Sequence, residues 1–346
     1  MSETIVLLEN ESQLNLLPFT LTRSAADIRI GILTIREKWA LLSSLPVATI
    51  SVENSHQDSP TDTIPANLIP GSEAINPDSV WESDHRLIQH PWQLVEFNDW
   101  ALRNDFRLLT HKRISQPLPV TVSATNPGQI FIEEGARLEH CFIHAGDGPV
   151  YIGKNALIMD GAMLRGPVSI GEGAIVKMGA AIYGATTIGP FAVAGGEIKN
   201  SILMAYANKA HHGYLGDAVI GEWCNLGAGT SCSNLKNTGG TIKIWDMHRK
   251  VFKKAGQKCG LLMGDFSKSA INTSFNTGTV TGICANIFDG GSLTPKFIPS
   301  FSWGIQTGEE YLLEKALAEI AVWMKFKNVS LTDEKKQLIE KIYKAL

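Results

Sequence analysis

The stretch IGKNALIMDGAMLRGPVSIGEGAIVKMGAAIYGATTIG, from Ile152 to Gly189, carries a strict six-residue repeat. An aliphatic residue recurs at every sixth position, and a small or β-branched residue stands four positions after each one. Neither the 3.6-residue period of a helix nor the alternation of a simple strand produces this spacing. The aliphatic positions are Ile152, Ile158, Leu164, Ile170, Val176, Ile182 and Ile188.

The repeat predicts a parallel β-solenoid in which each hexad forms one short strand and turns one corner. The aliphatic side chain fills the interior, the small one fits near the corner, and glycine permits the corner's backbone angles. An antiparallel sheet with glycine turns is the alternative, but such a sheet would not keep one period through seven repeats. The small positions are Ala156, Ala162, Val168, Ala174, Ala180, Thr186 and Ala192.

The six-residue period is interrupted at about residues 200–213 and again at residues 234–258. It resumes from Tyr214 and later from Ile271. Interruptions of a regular solenoid are typically loops that project from one face, and such loops often carry function. We therefore expect two projecting loops.

The chain on either side of the repeat has a different character. Residues 1–115 combine a strand-like start at Ile5–Leu8 with a helical pattern at Gly31–Leu42, which predicts a reduced α/β domain. A Pro-, Asn- and Ser-rich region follows from Ser51 to Pro77, and Gln116–Pro119 is the expected linker.

Two helices are predicted at the end, over Glu309–Phe326 and Thr332–Leu346, with Thr332 as the N-cap of the second. The expected division is thus an α/β domain at 1–115, a solenoid at 116–307 and C-terminal helices at 308–346.

Net charge, apolar runs and cysteine content indicate what class of protein this is. The net charge of −3 gives no electrostatic footprint for nucleic acid or an anionic membrane. No apolar run is long enough to span a bilayer, and the first residues lack the pattern of a signal peptide. The five cysteines are scattered, with no C-x-x-C pair, which favours free, buried thiols. We expect a cytoplasmic protein.

A second motif, NKAHHGYLGDAVIGEWCNLGAGT, runs from Asn208 to Thr230. It resembles the acetyltransferase half of the bifunctional uridyltransferase/glucosamine-1-phosphate acetyltransferases, which make UDP-N-acetylglucosamine. The resemblance covers about residues 150–305. It implies a left-handed β-helix, usually assembled as a homotrimer with active sites in the clefts between subunits, and N-acetyl transfer from acetyl-CoA to glucosamine 1-phosphate or a related amino sugar phosphate.

The resemblance also assigns roles to residues. It places His211 on the family's catalytic base, but the chain is one residue shorter than usual after Lys209, so His212 remains an alternative. A histidine of pKa near 6.5 is suited to remove a proton from an amine at neutral pH. The implied substrate-binding residues are Arg165 and Lys199 for the phosphate and Tyr214 and Asn225 for the sugar hydroxyls and the amide.

The acetyl-CoA site is implied near two further segments. Backbone N–H groups of Gly227–Gly229 are suited to a developing oxyanion. The segment Gly264–Lys268 is similar to the archaeal branch of the family. The implied acetyl-CoA contacts are Ala228, Gly229, Asp265 and Lys268.

A metal site is not expected. His140 and His144 raise the alternative of a zinc enzyme on the same solenoid, whose three ligands must lie within one or two coils. His144 and His211 are nearly four coils apart, at roughly 4.8 Å per coil, which is too far to share an ion.

The segment Leu17–Arg23 resembles a stretch of sugar-1-phosphate nucleotidyltransferases, in which a glycine-rich loop precedes it. Here the preceding residues, Leu8–Ser12, contain no glycine. The candidates for binding a nucleotide are Thr20, Thr22, Arg23, Arg29 and Lys38. An active domain would also require Mg²⁺ to neutralise the phosphates. The alternative for this segment is a relic domain, with the solenoid alone as the enzyme. The alternative for the whole protein is a non-catalytic or regulatory protein that binds sugar nucleotides on the same scaffold.

Overall fold

The computed structural model describes residues 4–51, 63–71, 84–288, 293–305 and 308–346. Its dominant feature is a parallel β-solenoid of the left-handed β-helix type, as predicted. Within the described residues the solenoid has three faces of eight, nine and ten strands. Strands on one face pair in parallel with those of the coil before and after, as Leu164 pairs with Ile143 and with Ile182.

The strands of the three faces follow one another in turn along the chain. Face 1 comprises Ser123–Thr125, Phe142–His144, Met163–Arg165, Ala181–Tyr183, Glu197–Lys199, Tyr214–Gly216, Ser231–Cys232 and Ser274–Phe275. Face 2 comprises Ile130–Ile132, Val150–Ile152, Val168–Ile170, Thr186–Ile188, Ile202–Leu203, Val219–Ile220, Leu262–Met263, Val280–Thr281 and Phe297–Ile298. Face 3 comprises Arg137–Leu138, Leu157–Ile158, Ile175–Val176, Val193–Ala194, Asn208–Lys209, Asn225–Leu226, Lys268–Ser269, Asn286–Ile287, Ser302–Trp303 and Glu309–Glu310.

The hexad residues take the predicted positions. All seven aliphatic residues belong to one buried cluster inside the solenoid. The small residues that follow them are also buried, with Ala156, Ala174 and Ala192 fully inaccessible. The interior of the solenoid is therefore the close-packed core that the repeat predicts.

The prediction of a projecting loop at residues 200–213 was wrong. Strands Ile202–Leu203 and Asn208–Lys209 lie in faces 2 and 3, so the solenoid continues through this segment. Its coils are shorter: Ile198 pairs with Ile182, sixteen positions earlier, and with Leu215, seventeen positions later. These coils have fewer residues than the regular ones, but their strands still pair in register. The six-residue period of the sequence is therefore shifted, and no loop projects.

The shift also changes which residues lie inside. Leu215, rather than Tyr214, occupies the interior position of its strand. After the second interruption Ile271 is 69% exposed, and the buried strand residue is Phe275. Extrapolating the six-residue period past a shortened coil therefore misplaces the core.

The second interruption is an insertion, as predicted. Residues 234–258 contain an antiparallel hairpin of Ile242–Asp246 and Val251–Gly256, which we call the inserted hairpin. One side of the hairpin is not free, since Ile242 and Ile244 are buried among residues of the N-terminal segment.

The N-terminal segment is α/β, as predicted. Strand Ile5–Glu9 lies between Val47–Ser51 and Thr63–Pro65, and all three are parallel. Two further antiparallel pairs join Arg29–Ile30 to Leu33–Thr34 and Leu68–Ile69 to Arg86–Leu87. Short 3₁₀ helices span Glu11–Leu16 and Ala25–Asp27, and another, Pro127–Gln129, lies in the first coil of the solenoid.

Helix α1 spans Ile35–Ser43 and helix α2 spans Gln93–Thr110. α1 begins later than predicted because Gly31, at a positive φ of 71°, turns the chain into a short strand pair. Thr34 then starts the helix through a reciprocal capping box with Glu37. Most of the region from Ser51 to Pro77 lies outside the described residues.

The N-terminal segment packs against the outside of face 2. Outward-facing Ile202, Val219, Leu262 and Val280 share one buried cluster with residues such as Trp39. Polar groups are matched across the same contact, since Asn98 donates to the carbonyl of Ala185 at 2.7 Å and Thr187 donates to that of Gly31 at 2.8 Å. The proposed division at residues 115 and 307 stays a prediction, and a common core joins the first two parts.

Helices α3, Leu313–Lys325, and α4, Asp333–Lys344, follow the solenoid. The side chain of Thr332 accepts from the N–H of Lys335, as the predicted N-cap of α4. The predicted start of α3 at Glu309 was wrong. Glu309–Glu310 extends face 3 as an antiparallel strand, and the Tyr311 N–H donates to the carbonyl of Phe301, which keeps the chain extended.

All five cysteines are free and buried, as predicted. In the part of the chain that the structure describes, no helix is both long enough and apolar enough to span a bilayer.

Candidate functional site

Face 1 carries several of the predicted substrate-binding residues on its outer surface. Here Phe142 and Met163 are 55% and 48% exposed. Arg165 is paired with Tyr183, and Tyr183 with Lys199, so these three outward residues form one column on successive coils. A depression of about 410 Å³ lies over this face and includes Arg165 and Tyr183 in its lining. Arg165 and Lys199 are two coils apart, at roughly 10 Å by strand spacing.

The column is held by contacts between its side chains. The Lys199 ammonium lies 5.6 Å from the centre of the Tyr183 ring. The Tyr183 hydroxyl donates to Glu197 at 2.5 Å, and this hydrogen bond, with burial, raises the pKa of Tyr183 to about 12. Arg165 forms an exposed ion pair with Asp147 at 2.5 Å. Two cations thus stand on one open surface, with a neutral tyrosine between them.

His211 and His212 occupy the corner that leads from face 3 into face 1. Both side chains are exposed, and neither makes a hydrogen bond or an ion pair with another described residue. The corner rests on Gly196, where an added Cβ would lie 2.7 Å from the His211 carbonyl oxygen. Above it, the Gly229 N–H donates to the carbonyl of His212 at 3.1 Å. The backbone is fixed on both sides, while both imidazoles remain accessible.

Sequence reasoning missed the structural role of Lys209. Its side chain is 1% exposed and points into the solenoid, at the position where neighbouring coils have Ala194 and Leu226. Its ammonium donates to the carbonyls of Gly195 and His211. Burial lowers the pKa of Lys209 to about 8. The sequence offered one sign of this role: Lys209 stands where the corresponding strands of other coils carry an apolar residue.

Tyr214 and Asn225 lie on different faces. Tyr214 begins the face 1 strand one coil beyond Glu197, and its hydroxyl lies over Gly216. Burial, and after it the charge of Asp217, raise the pKa of Tyr214 to about 12. Asn225 lies on face 3, where its side-chain oxygen accepts from Asn208 at 2.6 Å. The structure brings Tyr214, but not Asn225, onto the face of the cationic column.

The residues implied for binding acetyl-CoA also lie in different places, some near the histidine corner and some on face 3. Gly229 is exposed and Ala228 is half-buried, directly above the histidine corner. The N–H groups of Gly227 and Gly229 donate within the solenoid, whereas that of Ala228 has no partner among the described residues. Lys268 lies next to Asn225 on face 3, paired with Glu319 of α3 at 3.2 Å and 5.4 Å from the centre of the Trp323 ring.

Asp265 has a different position from the one that the resemblance implies. Its side chain is 1% exposed and binds inward: one oxygen accepts from Thr22 and Arg23, and the other from the Glu222 N–H at 2.8 Å. An acyl carrier does not reach a carboxylate that is enclosed in this way. Ala228 and Gly229 are thus accessible at the surface, Lys268 is largely covered by α3 with its side chain 13% exposed, and Asp265 is enclosed.

The five predicted nucleotide-binding residues do not converge on an open cleft. Thr22 and Arg23 are bound to Asp265, and Lys38, which is 1% exposed, is paired with Asp105. Their remaining partners are local: Thr20 donates to the carbonyl of Gln13, and Arg29 to that of Ile32 and to Glu37. The structure differs here from the expectation, because Arg23 and Lys38 are neutralised by the buried carboxylates of Asp265 and Asp105.

No group of three or more His, Cys, Asp or Glu side chains is arranged to bind a metal ion in the described ranges.

Two family models match separate parts of the chain. Residues 5–69 match the family described as sugar nucleotidyl transferase, and residues 149–184 match the bacterial transferase hexapeptide family, six repeats. The chain joins a sugar nucleotidyl transferase segment to hexapeptide repeats. Two segments of the chain are therefore similar to transferase families.

Similar proteins carry the names of bifunctional enzymes. The bifunctional protein GlmU of Methanocaldococcus jannaschii is 36% identical over 86 residues, 25% of this chain and 21% of that protein. A bifunctional sugar-1-phosphate nucleotidylyltransferase/acetyltransferase of Sulfurisphaera tokodaii is 29% identical over 205 residues, 59% of this chain and 44% of that protein. The matched region therefore spans less than half the length of these relatives.

Among solved structures, an Arabidopsis UDP-N-acetylglucosamine acyltransferase matches at 16% identity with a TM-score of 0.29, over 64% of this chain and 88% of that one. A polysialic acid-specific acetyltransferase, NeuO, matches at 16% identity with a TM-score of 0.25, over 52% and 74%. Scores of this size do not establish a common fold.

Proposed function

We propose that the protein transfers an acetyl group from acetyl-CoA to the amine of glucosamine 1-phosphate or a closely related amino sugar phosphate. One observation supports this most: two accessible histidines on a fixed backbone corner lead directly into the face that carries Arg165 and Lys199. The names of the similar proteins are consistent with this reaction.

His211 is the proposed general base, with His212 as the alternative. An amine attacks a thioester only when it has lost its proton, and an imidazole accepts that proton near neutral pH. Acetyl-CoA supplies the activated acetyl group. The free N–H of Ala228, which stands one coil beyond the histidine corner, is the proposed donor to the oxygen of the tetrahedral intermediate.

The cationic column supplies the binding site for the phosphate. Lys199 is nearer to the corner, since its strand is paired with Tyr214–Gly216, whereas Arg165 is three coils from that strand. We assign the sugar phosphate to Lys199 with Tyr214 beside it, and Arg165 to a more distant part of the ligand. Asn225 and Lys268 lie on face 3, so they serve the same site only where a second subunit brings its face 3 against face 1. A homotrimer is the proposed assembly.

The base is tested by replacing each histidine alone. Purified protein given acetyl-CoA and glucosamine 1-phosphate should release free thiol, and His211→Ala should reduce kcat by at least ~10²-fold, the scale of general-base catalysis. His140→Ala is the matched control, because His140 is also an exposed corner histidine but lies several coils away.

Full activity in His211→Ala together with loss in His212→Ala would move the role to His212. Full activity in both variants, or no thiol release with any amino sugar phosphate, would contradict the proposal.

A non-catalytic or regulatory sugar-nucleotide-binding protein is the second candidate function. The observation that favours it is the internal pairing of Arg23 and Lys38, which removes two cations from any phosphate. Under this candidate, calorimetry should show UDP-sugar binding with neither thiol nor pyrophosphate release. Pyrophosphate formed from UTP, Mg²⁺ and N-acetylglucosamine 1-phosphate, and lost in Arg23→Ala, would instead show an active nucleotidyltransferase.

A further inference from the structure

The inserted hairpin carries a concentration of positive charge that the net charge of the whole chain does not show. Residues 234–258 contain seven lysine and arginine residues and a single acidic residue, Asp246, in a chain whose net charge is −3. The Asp246 side chain is 8% exposed and is already paired with Lys253 at 2.7 Å. The exposed part of the insertion therefore has cations and no acidic side chain of its own. The seven cations are Lys236, Lys243, Arg249, Lys250, Lys253, Lys254 and Lys258.

Two of these lysines stand directly opposite each other across the hairpin. The strand register pairs Lys243 with Lys254, and both are exposed. Like charges in directly opposite positions on neighbouring strands destabilise the pair. Neither of these lysines, nor Lys250 at the turn, forms an ion pair with any residue that the structure describes. The hairpin thus keeps a repulsion that an external anionic partner would relieve.

Apolar side chains are exposed among the same cations. Val251 and Phe252, which follow Lys250 directly, are 47% and 51% exposed. Phe252 lies on the face of the two opposed lysines, because it is paired with Trp245 at the next position of the register on that face. The Trp245 ring contacts the Phe252 ring edge-on, with centroids 5.0 Å apart, and stacks on Phe297 of face 2 at 5.6 Å. An exposed ring is therefore supported by the solenoid and held between cations.

This combination favours an anionic lipid surface over a nucleic acid. Lysines attract anionic headgroups, while apolar side chains beside them enter the boundary between headgroups and acyl chains. A single-stranded nucleic acid binds instead to a series of open aromatic faces, on which its bases stack. The insertion has one phenylalanine and one tryptophan, and its tryptophan ring is covered by Phe252 and Phe297. One open ring does not make a series.

We propose that the inserted hairpin binds the surface of an anionic lipid bilayer. Lys243, Lys250 and Lys254 contact the headgroups, and Val251 and Phe252 enter the boundary between the headgroups and the acyl chains. The contact is peripheral, because only the outer face and the turn of the hairpin take part in it. It includes none of the residues assigned to acetyl transfer, so each proposal stands or falls independently of the other.

Co-sedimentation of the full chain with lipid vesicles measures this binding. Vesicles of phosphatidylcholine alone are compared with vesicles in which phosphatidylglycerol replaces about one third of the lipid. We expect binding to the anionic vesicles only, and its loss at high salt, because salt screens the attraction between exposed charges. Equal binding to both kinds of vesicle, or binding to neither, overturns the proposal.

Substitutions that remove one charge test whether the hairpin makes the contact. Lys243→Gln and Lys254→Gln should each weaken binding to the anionic vesicles about fivefold, the contribution of one lysine near such a surface. Lys336→Gln and Lys341→Gln remove the same charge from exposed positions on α4, so they are the matched controls and should leave binding unchanged. If all four variants bind alike, the hairpin is not the contact and the proposal is overturned.

A gain of affinity at Phe252 distinguishes the proposal from damage to the fold. Phe252→Trp should tighten vesicle binding several-fold, because tryptophan is favoured at the membrane interface, and Phe252→Ser should weaken it. Equal binding by these two variants would overturn the proposal. A single-stranded oligonucleotide is the probe for the other class of polyanion. If it binds, with a loss in Lys243→Gln and Lys254→Gln, while the vesicles do not bind, the hairpin is assigned to nucleic acid and the lipid surface is excluded.

Discussion

Lys209 is the residue whose position is most at odds with its chemistry. It faces the interior of the solenoid on face 3. The residues at the same position in the preceding coils are all apolar: Leu138, Ile158, Val176 and Ala194. Burying an ammonium is costly unless its protons are hydrogen-bonded. Two backbone carbonyls accept them here, and one belongs to His211, so the buried charge fixes the corner that carries the candidate base.

The buried amine predicts a pH dependence of stability. Since burial lowers the pKa of Lys209 from 10.5 to about 8, the unfolded chain binds more protons than the folded one between these values. The free energy of unfolding should therefore rise with pH across this window, by about 3 kcal/mol for a shift of this size. Urea unfolding of the wild type and Lys209→Met from pH 7.5 to 10.5 measures the contribution as the difference between the two proteins.

Subtracting the variant removes the titration of tyrosines and cysteines, which both proteins share. Lys254→Met, at an exposed position on the hairpin, should give a difference that does not change with pH. A flat difference for Lys209→Met as well would mean that the amine has the same pKa in the folded and the unfolded protein, and so is not desolvated in solution.

Single residues also show where sequence reasoning reached its limit. The arginine of the Leu17–Arg23 segment was predicted to bind phosphate, because the segment resembles a stretch of sugar-1-phosphate nucleotidyltransferases. Its partner, Asp265, lies 242 positions later in the chain. No local pattern in a single sequence reports such a pairing, whereas Thr332 was readable as a helix start because its cap is made within three residues.

Among the elements, the corners between faces 2 and 3 contain an unusual stack of aromatic rings. Phe191, Tyr206 and Trp223 have positive φ angles of 58°, 62° and 60° on successive coils. Their rings stack with centroids 5.1 Å and 4.0 Å apart. A side chain at positive φ is strained, so we infer that stacking offsets part of that cost.

Because of this strain, we expect the glycine variant of Tyr206 to be more stable than the alanine variant, the reverse of the usual order. Tyr206→Ala and Tyr206→Gly both lose the stacking, but only glycine adopts positive φ without a clash. Tyr206→Gly should therefore be the more stable by about 1 kcal/mol. At Tyr183, in a face 1 strand, the same comparison should give the ordinary order, with alanine the more stable. Thermal unfolding of the four variants measures both differences, and alanine being the better residue at Tyr206 would disprove the strain.

The elements also show how far a sequence period extends. From Ile152 to Ile188 each corner keeps its full complement of residues, so the period of six identifies the interior without error. Beyond Ala194 the strands remain in register while the corners shorten, since register depends on backbone pairing and not on corner length. The fold was therefore predictable from one well-formed region, while the face reached by each later residue was not.

At the scale of the whole molecule, one buried ion cluster joins the N-terminal segment to the solenoid. Asp265 binds Thr22 and Arg23 from the N-terminal segment, and Arg23 also lies 3.2 Å from Glu222. Asp265→Ala would leave the Arg23 guanidinium, 7% exposed, with Glu222 as its one carboxylate partner in the described part of the chain, beside the sulfur of Met204. We expect a loss of about 3–5 kcal/mol in the free energy of unfolding, as for other broken buried pairs.

Chemical denaturation compares this loss with that of a surface pair. Asp99→Ala removes the partner of Arg103 on α2, where both side chains are about half exposed, and should cost less than about 1 kcal/mol. Equal effects in the two variants would show that the Asp265 cluster is not desolvated in solution.

The common core under face 2 makes the two halves of the chain dependent on each other. Without its first hundred residues the solenoid would present Ile202, Val219, Leu262 and Val280 to water as a continuous apolar ribbon. Such a ribbon favours aggregation over solubility. The chain therefore cannot be divided between the N-terminal segment and the solenoid without exposing this surface. Even if the N-terminal segment lost its own activity, evolution would still retain it as a cover for face 2.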